Sequence, residues 1–200
     1  MKKTSAAPLP ACMTAGVLEA GCDEAGRGCL AGPVVAAAVI LPDGYSHPYL
    51  IDSKKLTEKR REEMREIIMR DALAWCVAEC SAAEIDSINI LNASIEAMHR
   101  ALRGLALRPG AIIVDGNRFK PFEDIPAQTV VKGDAKFANI AAASILAKTT
   151  RDHIMTALHD TFPQYNWLKN KGYPTADHRA AIAASGPCEH HRMSFTLIKK

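Results

Sequence analysis

The sequence predicts a mixed α/β fold, on three observations. Two apolar, β-branched or alanine-rich runs stand close together near the start, at residues 17–23 and 34–41. A third such run, at 73–80, follows one helix-like stretch. Beyond it, strand-like and helix-like periodicities alternate towards the end of the chain.

Residues 1–15 mix lysine, threonine, serine, proline and small residues, so they are expected to form a flexible arm ahead of one domain spanning 16–200. The first strand ends at Asp23. Glycines follow at 26 and 28, and then the continuous apolar run 34–41 has the character of a strand buried on both faces. Pro42-Asp43-Gly44 makes a turn. Thr57 caps a helix expected to reach Asp71, with Glu58 in its first turn, where the helix dipole favours an acid. After the strand 73–80, Ser81 opens a helical stretch in which Ile88, Leu91, Ile95, Met98 and Leu102 keep helical spacing up to Gly104. Residues 111–115 form a short buried strand ending in a carboxylate, and 128–131 another. Asp134 or its neighbour starts a long alanine-rich helix running to about residue 159, and Thr175 caps a last helix to about 184. The Pro/Gly-bearing stretch 162–174 is expected to be a long functional loop.

Composition bounds what this fold can serve. With 200 residues, 48% of them hydrophobic, the chain can bury a core without disulfides or metal staples. Its net charge of +3 permits a polyanionic partner but does not demand one. The cysteines Cys12, Cys22, Cys29, Cys76, Cys80 and Cys188 are irregularly spaced and lack zinc-ribbon spacing, so they are expected as reduced, mostly buried thiols. The N-terminus has no long apolar segment, and no stretch reaches the roughly 20 apolar residues of a membrane span. A soluble, cytoplasmic protein with no membrane association is expected.

Carboxylates at strand ends carry the chemistry. Asp23 and Glu24 close one strand and meet the backbone-exposing turn Ala25-Gly26-Arg27-Gly28; Asp115 ends another, before Gly116-Asn117; Asp134 follows Lys132-Gly133. Taken singly, Asp115 or Asp134 reads as a turn or capping residue. Asp23-Glu24 has no helix to cap, because a strand-like run follows. If the strands are neighbours, the acids converge, and mutually repelling carboxylates of this hardness suit Mg²⁺ or Mn²⁺. A competing pattern is present: Gly26, Gly28 and Ala31 match the GxGxxA turn of dinucleotide-binding proteins. That turn requires a following helix, and here Pro33 and a β-branched run follow. Cys188, Glu189, His190 and His191 are expected as exposed polar residues and not as ligands, and Lys54, Lys55, Lys59, Arg60, Arg61, Lys169 and Lys171 as solvated charge unless the acids are catalytic.

Five segments together resemble ribonuclease HII: GCDEAGRGCLAGPVVAAAVIL from Gly21, DSKKLT from Asp52, IIVDGN from Ile112, KGDAKFANIAAASILAKTTRD from Lys132 and NKGYPTADH from Asn170. The resemblance implies an RNase H-like fold, with a mixed central sheet flanked by helices and a small C-terminal helical extension. It implies an endoribonuclease that acts as a monomer with no obligate protein partner. Such an enzyme hydrolyses the RNA strand of RNA/DNA hybrids and cuts on the 5′ side of ribonucleotides embedded in duplex DNA, leaving 5′-phosphate and 3′-OH ends, as in ribonucleotide excision repair and RNA primer removal. It also implies that Asp23, Glu24, Asp115 and Asp134 surround two divalent ions, Mn²⁺ or Mg²⁺. By the same resemblance, Gly26, Arg27 and Gly28 contact the ribonucleotide 2′-OH, Tyr173 packs on the deoxyribose beyond it, and Lys54, Lys148 and Arg151 contact phosphates. The chain departs from the family pattern at Asn166, at Met193 and in the N-terminal arm. Two readings from other classes stand beside it: a catalytically silent nucleic-acid-binding module, and a nucleotide-cofactor oxidoreductase resting on the GxGxxA match alone.

Overall fold

The computed structural model describes residues 8–50, 53 and 56–198. Lys54 and Lys55, like Lys199 and Lys200, lie outside the described residues. The strands are β1 (Glu19–Ala25), β2 (Val34–Ile40), β3 (Ala74–Cys80), β4 (Ala111–Asp115) and β5 (Ala127–Val130). They form one mixed sheet in the order β3-β2-β1-β4-β5: β2 is antiparallel to both β1 and β3, while β1, β4 and β5 run parallel. The helices are α1 (Glu58–Asp71), α2 (Ala82–Ile88), α3 (Ile90–Arg103), α4 (Ala138–Thr161), α5 (Trp167–Asn170) and α6 (Ala176–Ser185). The mixed α/β expectation is met. Among the described residues no helix is long and apolar enough to cross a membrane.

The sheet divides the core by strand parity. Ala20, Cys22, Ala36, Ala38, Ile112 and Val114 face α3, whereas Val35, Ala37 and Val39 face α4 and α1. β2 is buried along its whole length because both faces are covered. The alanines Ala141, Ala142, Ala143 and Ala147 let α4 lie close on β1 and β2. The approach is tight enough that a Cβ on Gly21 would stand 2.4 Å from the Asn139 backbone.

Several boundaries differ from the sequence reading. β1 reaches Ala25, so Asp23 and Glu24 lie inside the strand. The single helical stretch after Ser81 is two helices, broken at Asn89, whose φ of 65° leaves the helical region and whose side chain caps α3 through the Asn92 N–H. α4 starts at Ala138, and Asp134 sits in a preceding 3-10 turn, Gly133–Ala135. The loop 162–174 contains α5 and a second 3-10 turn. The described part of the N-terminal arm is packed: Pro10 and Ala11 carbonyls accept from the Ala138 and Asn139 amides at 2.8 and 3.2 Å, and Glu19 accepts from Met13 and Thr14. The cause is local, since Phe137 offers α4 no side-chain cap and the first helical N–H groups need acceptors. All six cysteines are free; Cys22, Cys29 and Cys80 are buried, and the other three are only partly so.

Candidate functional site

The parallel pairing of β1 and β4 creates the site. Their register ends with Cys22 beside Val114, so Asp23 and Asp115 are the next residues of adjacent strands and share the face covered by α4. Together with Glu24, Ala25, Gly26, Ser53, Arg61, Ser144, Lys148 and Tyr173 they line a cleft of about 220 Å³. Asp23 is only 6% exposed, and its Oδ1 accepts from the Glu24 amide at 2.7 Å. A hydrogen bond from Ser144 also reaches Asp23, and Ser144 in turn pairs with Ser53 at 3.0 Å. Asp115 Oδ1 accepts from the Gly133 amide at 2.6 Å, which draws the Lys132–Asp134 turn against the end of β4. Glu24 is paired with Arg27 at 3.1 Å.

Electrostatically this is a frustrated arrangement. Burial, and then the negative charges of Glu24 and Asp115, hold the Asp23 carboxyl well above the usual carboxylate range, against the pull of Ser144 and the Glu24 amide. Burial also raises Glu24, opposed by Arg27. Carboxylates gathered this closely in a buried cleft form a place where a cation would be stabilising, and the carboxylate donors are hard oxygens. Among the described residues no three His, Cys, Asp or Glu side chains close into a complete ligand cluster. Asp134 is buried and stands next to Gly133, but it is not among the residues lining the cleft.

The glycine turn is held from below by two buried arginines. Arg151 donates to the carbonyls of Ala31, Pro33 and Lys171 at 2.8–2.9 Å and is 1% exposed. Arg192, fully buried, donates to those of Arg27, Gly32 and Pro33 at 3.0–3.1 Å. The expectation of a phosphate contact for Arg151 is therefore corrected: its guanidinium is engaged by backbone carbonyls beneath the turn. Gly26 has φ +95° and its missing Cβ would fall 2.0 Å from Arg151 Nε, so only glycine fits. At Gly28 an added Cβ would meet nothing. After the turn comes β2, not a helix, which removes the structural basis of the GxGxxA reading.

Of the other expected residues, Lys148 lines the cleft while bonding Asp152 at 2.7 Å, and Tyr173, 41% exposed as a residue, lines it too. The sequence reading missed Ser53 and Ser144 and left Arg61 as a solvated side chain; Arg61 lines the cleft and donates to the carbonyls of Ser53 and Leu56. Ser144 had a detectable signal, lying four residues before Lys148 and so one turn away on the same face of the alanine-rich α4. His191 was expected to be exposed; it is 1% exposed, enclosed by Tyr165, Trp167 and His178.

A family model described as Ribonuclease HII matches residues 20–198. Ribonuclease HII of Bacteroides fragilis is 60% identical over 182 residues, which cover 91% of this chain and 90% of that protein. The fold resembles the crystal structure of ribonuclease H2 from Pyrococcus horikoshii OT3, with a TM-score of 0.75 and 25% identity over 90% of this chain and 94% of that one. It also resembles RNase HII in the PCNA:RNase HII complex from Archaeoglobus fulgidus, with a TM-score of 0.75 and 28% identity over 92% and 98% of the two chains.

Proposed function

The chain belongs to the ribonuclease HII family and is an RNase H endonuclease acting on RNA/DNA hybrids, and from that premise we propose that it also cuts on the 5′ side of ribonucleotides embedded in duplex DNA, using Asp23, Glu24, Asp115 and Asp134 as a divalent-metal centre. The observation that carries this reading is the convergence of Asp23, Glu24 and Asp115 on one cleft beside the glycine turn.

The family uses divalent metal ions, and the donor set fits such ions. Mg²⁺ and Mn²⁺ prefer carboxylate oxygens and keep several waters, so an open set of acids is compatible with them, whereas zinc would prefer nitrogen or sulfur. When bound, two such ions lower the pKa of an attacking water and stabilise charge on the attacking and leaving oxygens of an in-line displacement. The chain's own residues do the remaining work. Asp23 and Asp115 are held by Ser144 and the Gly133 amide, which limits how far these two acids move on loading. Gly28 leaves open backbone through which a 2′-OH can be approached, the group that distinguishes RNA from DNA. Tyr173 offers an exposed aromatic face to a sugar. Lys148 stands at the cleft for a phosphate, contributing affinity without sequence information. Lys54, which lies outside the described residues, keeps the same proposed role. We read the enzyme as a cytoplasmic monomer with no obligate protein partner.

The test is cleavage of a labelled DNA duplex carrying one internal ribonucleotide, with Mg²⁺, with Mn²⁺ and with EDTA, mapping both product ends. A metal-dependent cut 5′ to the ribonucleotide, leaving 3′-OH and 5′-phosphate, is expected. Asp115→Asn, which keeps an oxygen for the Gly133 amide, is expected to bind the duplex and retain the fold while losing cleavage by at least about a hundredfold. Binding without cutting in the unmutated chain supports the silent binding module instead.

A further inference from the structure

Behind Tyr173 lies a chain of neutral donors and acceptors whose direction the geometry fixes. Trp167 Nε1 can only donate, and it lies 3.0 Å from His178 Nε2, so that nitrogen carries no proton. His178 Nδ1 must then carry the proton and donate to the Tyr173 carbonyl at 2.9 Å. At the other end, His191 Nδ1 accepts from the Cys188 amide at 3.0 Å, so the proton of His191 is on Nε2, which faces His178 Nε2 at 3.2 Å. The lone pair of His178 Nε2 is thus shared by two donors, and the imidazole ring of His178, itself fully buried, cannot turn without stranding both.

The same carbonyl of Tyr173 accepts from the Thr175 amide at 2.8 Å, and the Tyr173 amide donates to Asn170. The tyrosine ring stands over Lys148 Nζ at 5.7 Å, and its hydroxyl hydrogen-bonds the Cys29 thiol, next to the glycine turn. The loop is also tied to that turn by the Leu30 amide donating to Gly172 at 2.8 Å. Every one of these contacts fixes where the exposed face of Tyr173 stands relative to Gly28, and the one that reaches into the core is His178.

We propose that His178, held in its Nδ1–H form by Trp167 and His191, is a positioning residue that sets Tyr173 against the sugar beyond an embedded ribonucleotide. It touches no substrate; it acts through the Tyr173 backbone. The inference rests on the reading of Tyr173 given under the proposed function.

Two substitutions separate the ring's two nitrogens. In His178→Gln the amide oxygen stands where Nε2 stood and, with two lone pairs, accepts from both Trp167 and His191, while the grip on Tyr173 is lost. In His178→Asn the amide nitrogen stands where Nδ1 stood and keeps the grip, while both core donors lose their acceptor. The measurement is kcat/KM on a duplex with one ribonucleotide divided by kcat/KM on an RNA/DNA hybrid, with Tm measured alongside. His178→Gln is expected to lower that ratio by about fivefold or more, chiefly through KM, with Tm near that of the unmutated chain. His178→Asn is expected to lower Tm and keep the ratio. Equal ratios in the two variants, or a ratio that follows Tm, overturn the proposal.

Tyr173→Ala run in parallel isolates the premise: if it leaves the ratio unchanged, the reading of Tyr173 fails; if it lowers the ratio and His178→Gln does not, the positioning role fails. Nitrogen-15 NMR of the histidine rings in the unmutated protein gives a check that needs no variant to fold. His178 is expected as the Nδ1–H tautomer and His191 as Nε2–H, and an Nε2–H signal for His178 overturns the proposal.

Discussion

Two glycines of the same turn, separated by a single arginine, obey different constraints. At Gly26 the left-handed φ of +95° and the Arg151 side chain in the place of a Cβ exclude any other residue. Gly26→Ala is expected to destabilise the fold by about 3 kcal/mol or more, because it combines backbone strain with displacement of a guanidinium that holds three carbonyls. At Gly28 neither constraint exists, so the Gly28→Ala chain should unfold within about 1 kcal/mol of the unmutated one. Its cleavage of a duplex with a single ribonucleotide should nonetheless fall by about tenfold or more, since a methyl group would stand where backbone must approach a 2′-OH. Denaturant unfolding and cleavage kinetics on the same two variants check both statements; a Gly28→Ala chain with undiminished cleavage removes the turn from substrate recognition. The sequence reading named both glycines through the resemblance, but nothing in their spacing distinguishes them. The difference comes from Arg151, which is 125 residues away in sequence from Gly26 and expected at a phosphate until its partners are seen.

At the scale of elements, the legible features came from periodicity, and the hidden ones from partners distant in sequence. β2 announces itself because a strand buried between helices must be apolar at nearly every position, and β3, a half-buried edge strand, is still apolar at all but Glu79. The end of β1 was misread by two residues: carboxylates suggest a boundary, yet Asp23 and Glu24 still pair with Ala37 and Ala36 across the ladder. The division between α2 and α3 rests on one residue, Asn89, which both leaves the helical region and caps α3. α4 supplies a prediction. Its first amides find their acceptors in Pro10 and Ala11, and Leu9 packs against the core cluster on the α4 side of the sheet. Deleting residues 1–12 should therefore cost about 2 kcal/mol, or about 4–8 °C in Tm, and loosen the N-terminal end of α4. Hydrogen exchange that quickens selectively at Ala138 and Asn139 supports this; unchanged protection there shows that solvent serves those amides equally well.

The whole molecule is closed by its C-terminal segment, which runs back under the glycine turn through Arg192 and under the tyrosine loop through His191. That closure was invisible in the sequence. Adjacent histidines near a chain end carry no periodic signal, and their burial depends on Trp167 and Tyr165, contributed by the stretch expected to be a loop. It makes stability depend on pH in a definite direction. Burial, then the neighbouring His178 and His190, push His191 down to about 4, and burial lowers His178 as well. The titratable groups facing His191 are His178 from α6, Tyr165 from the 3-10 turn before α5, and Cys188 and His190 from its own segment, none of them a carboxylate. In the unfolded chain a histidine protonates near pH 6.5, so between about 6.5 and 4 the unfolded state binds more protons than the folded one. Stability should consequently fall as pH is lowered through that window, with His191 alone contributing on the order of 3 kcal/mol by pH 4. The raised Asp23 and Glu24 act in the opposite sense over part of the same range, because a carboxyl lifted by folding is stabilised by acidification. The informative quantity is therefore the difference between two chains that share those acids. His191→Gln should unfold more readily at neutral pH, yet its stability should fall less steeply than that of the unmutated chain from pH 6.5 to 4 in denaturant titrations. Parallel curves for the two chains mean that His191 takes up its proton as readily in the folded state as in the unfolded one, which overturns its assigned share of the acid destabilisation.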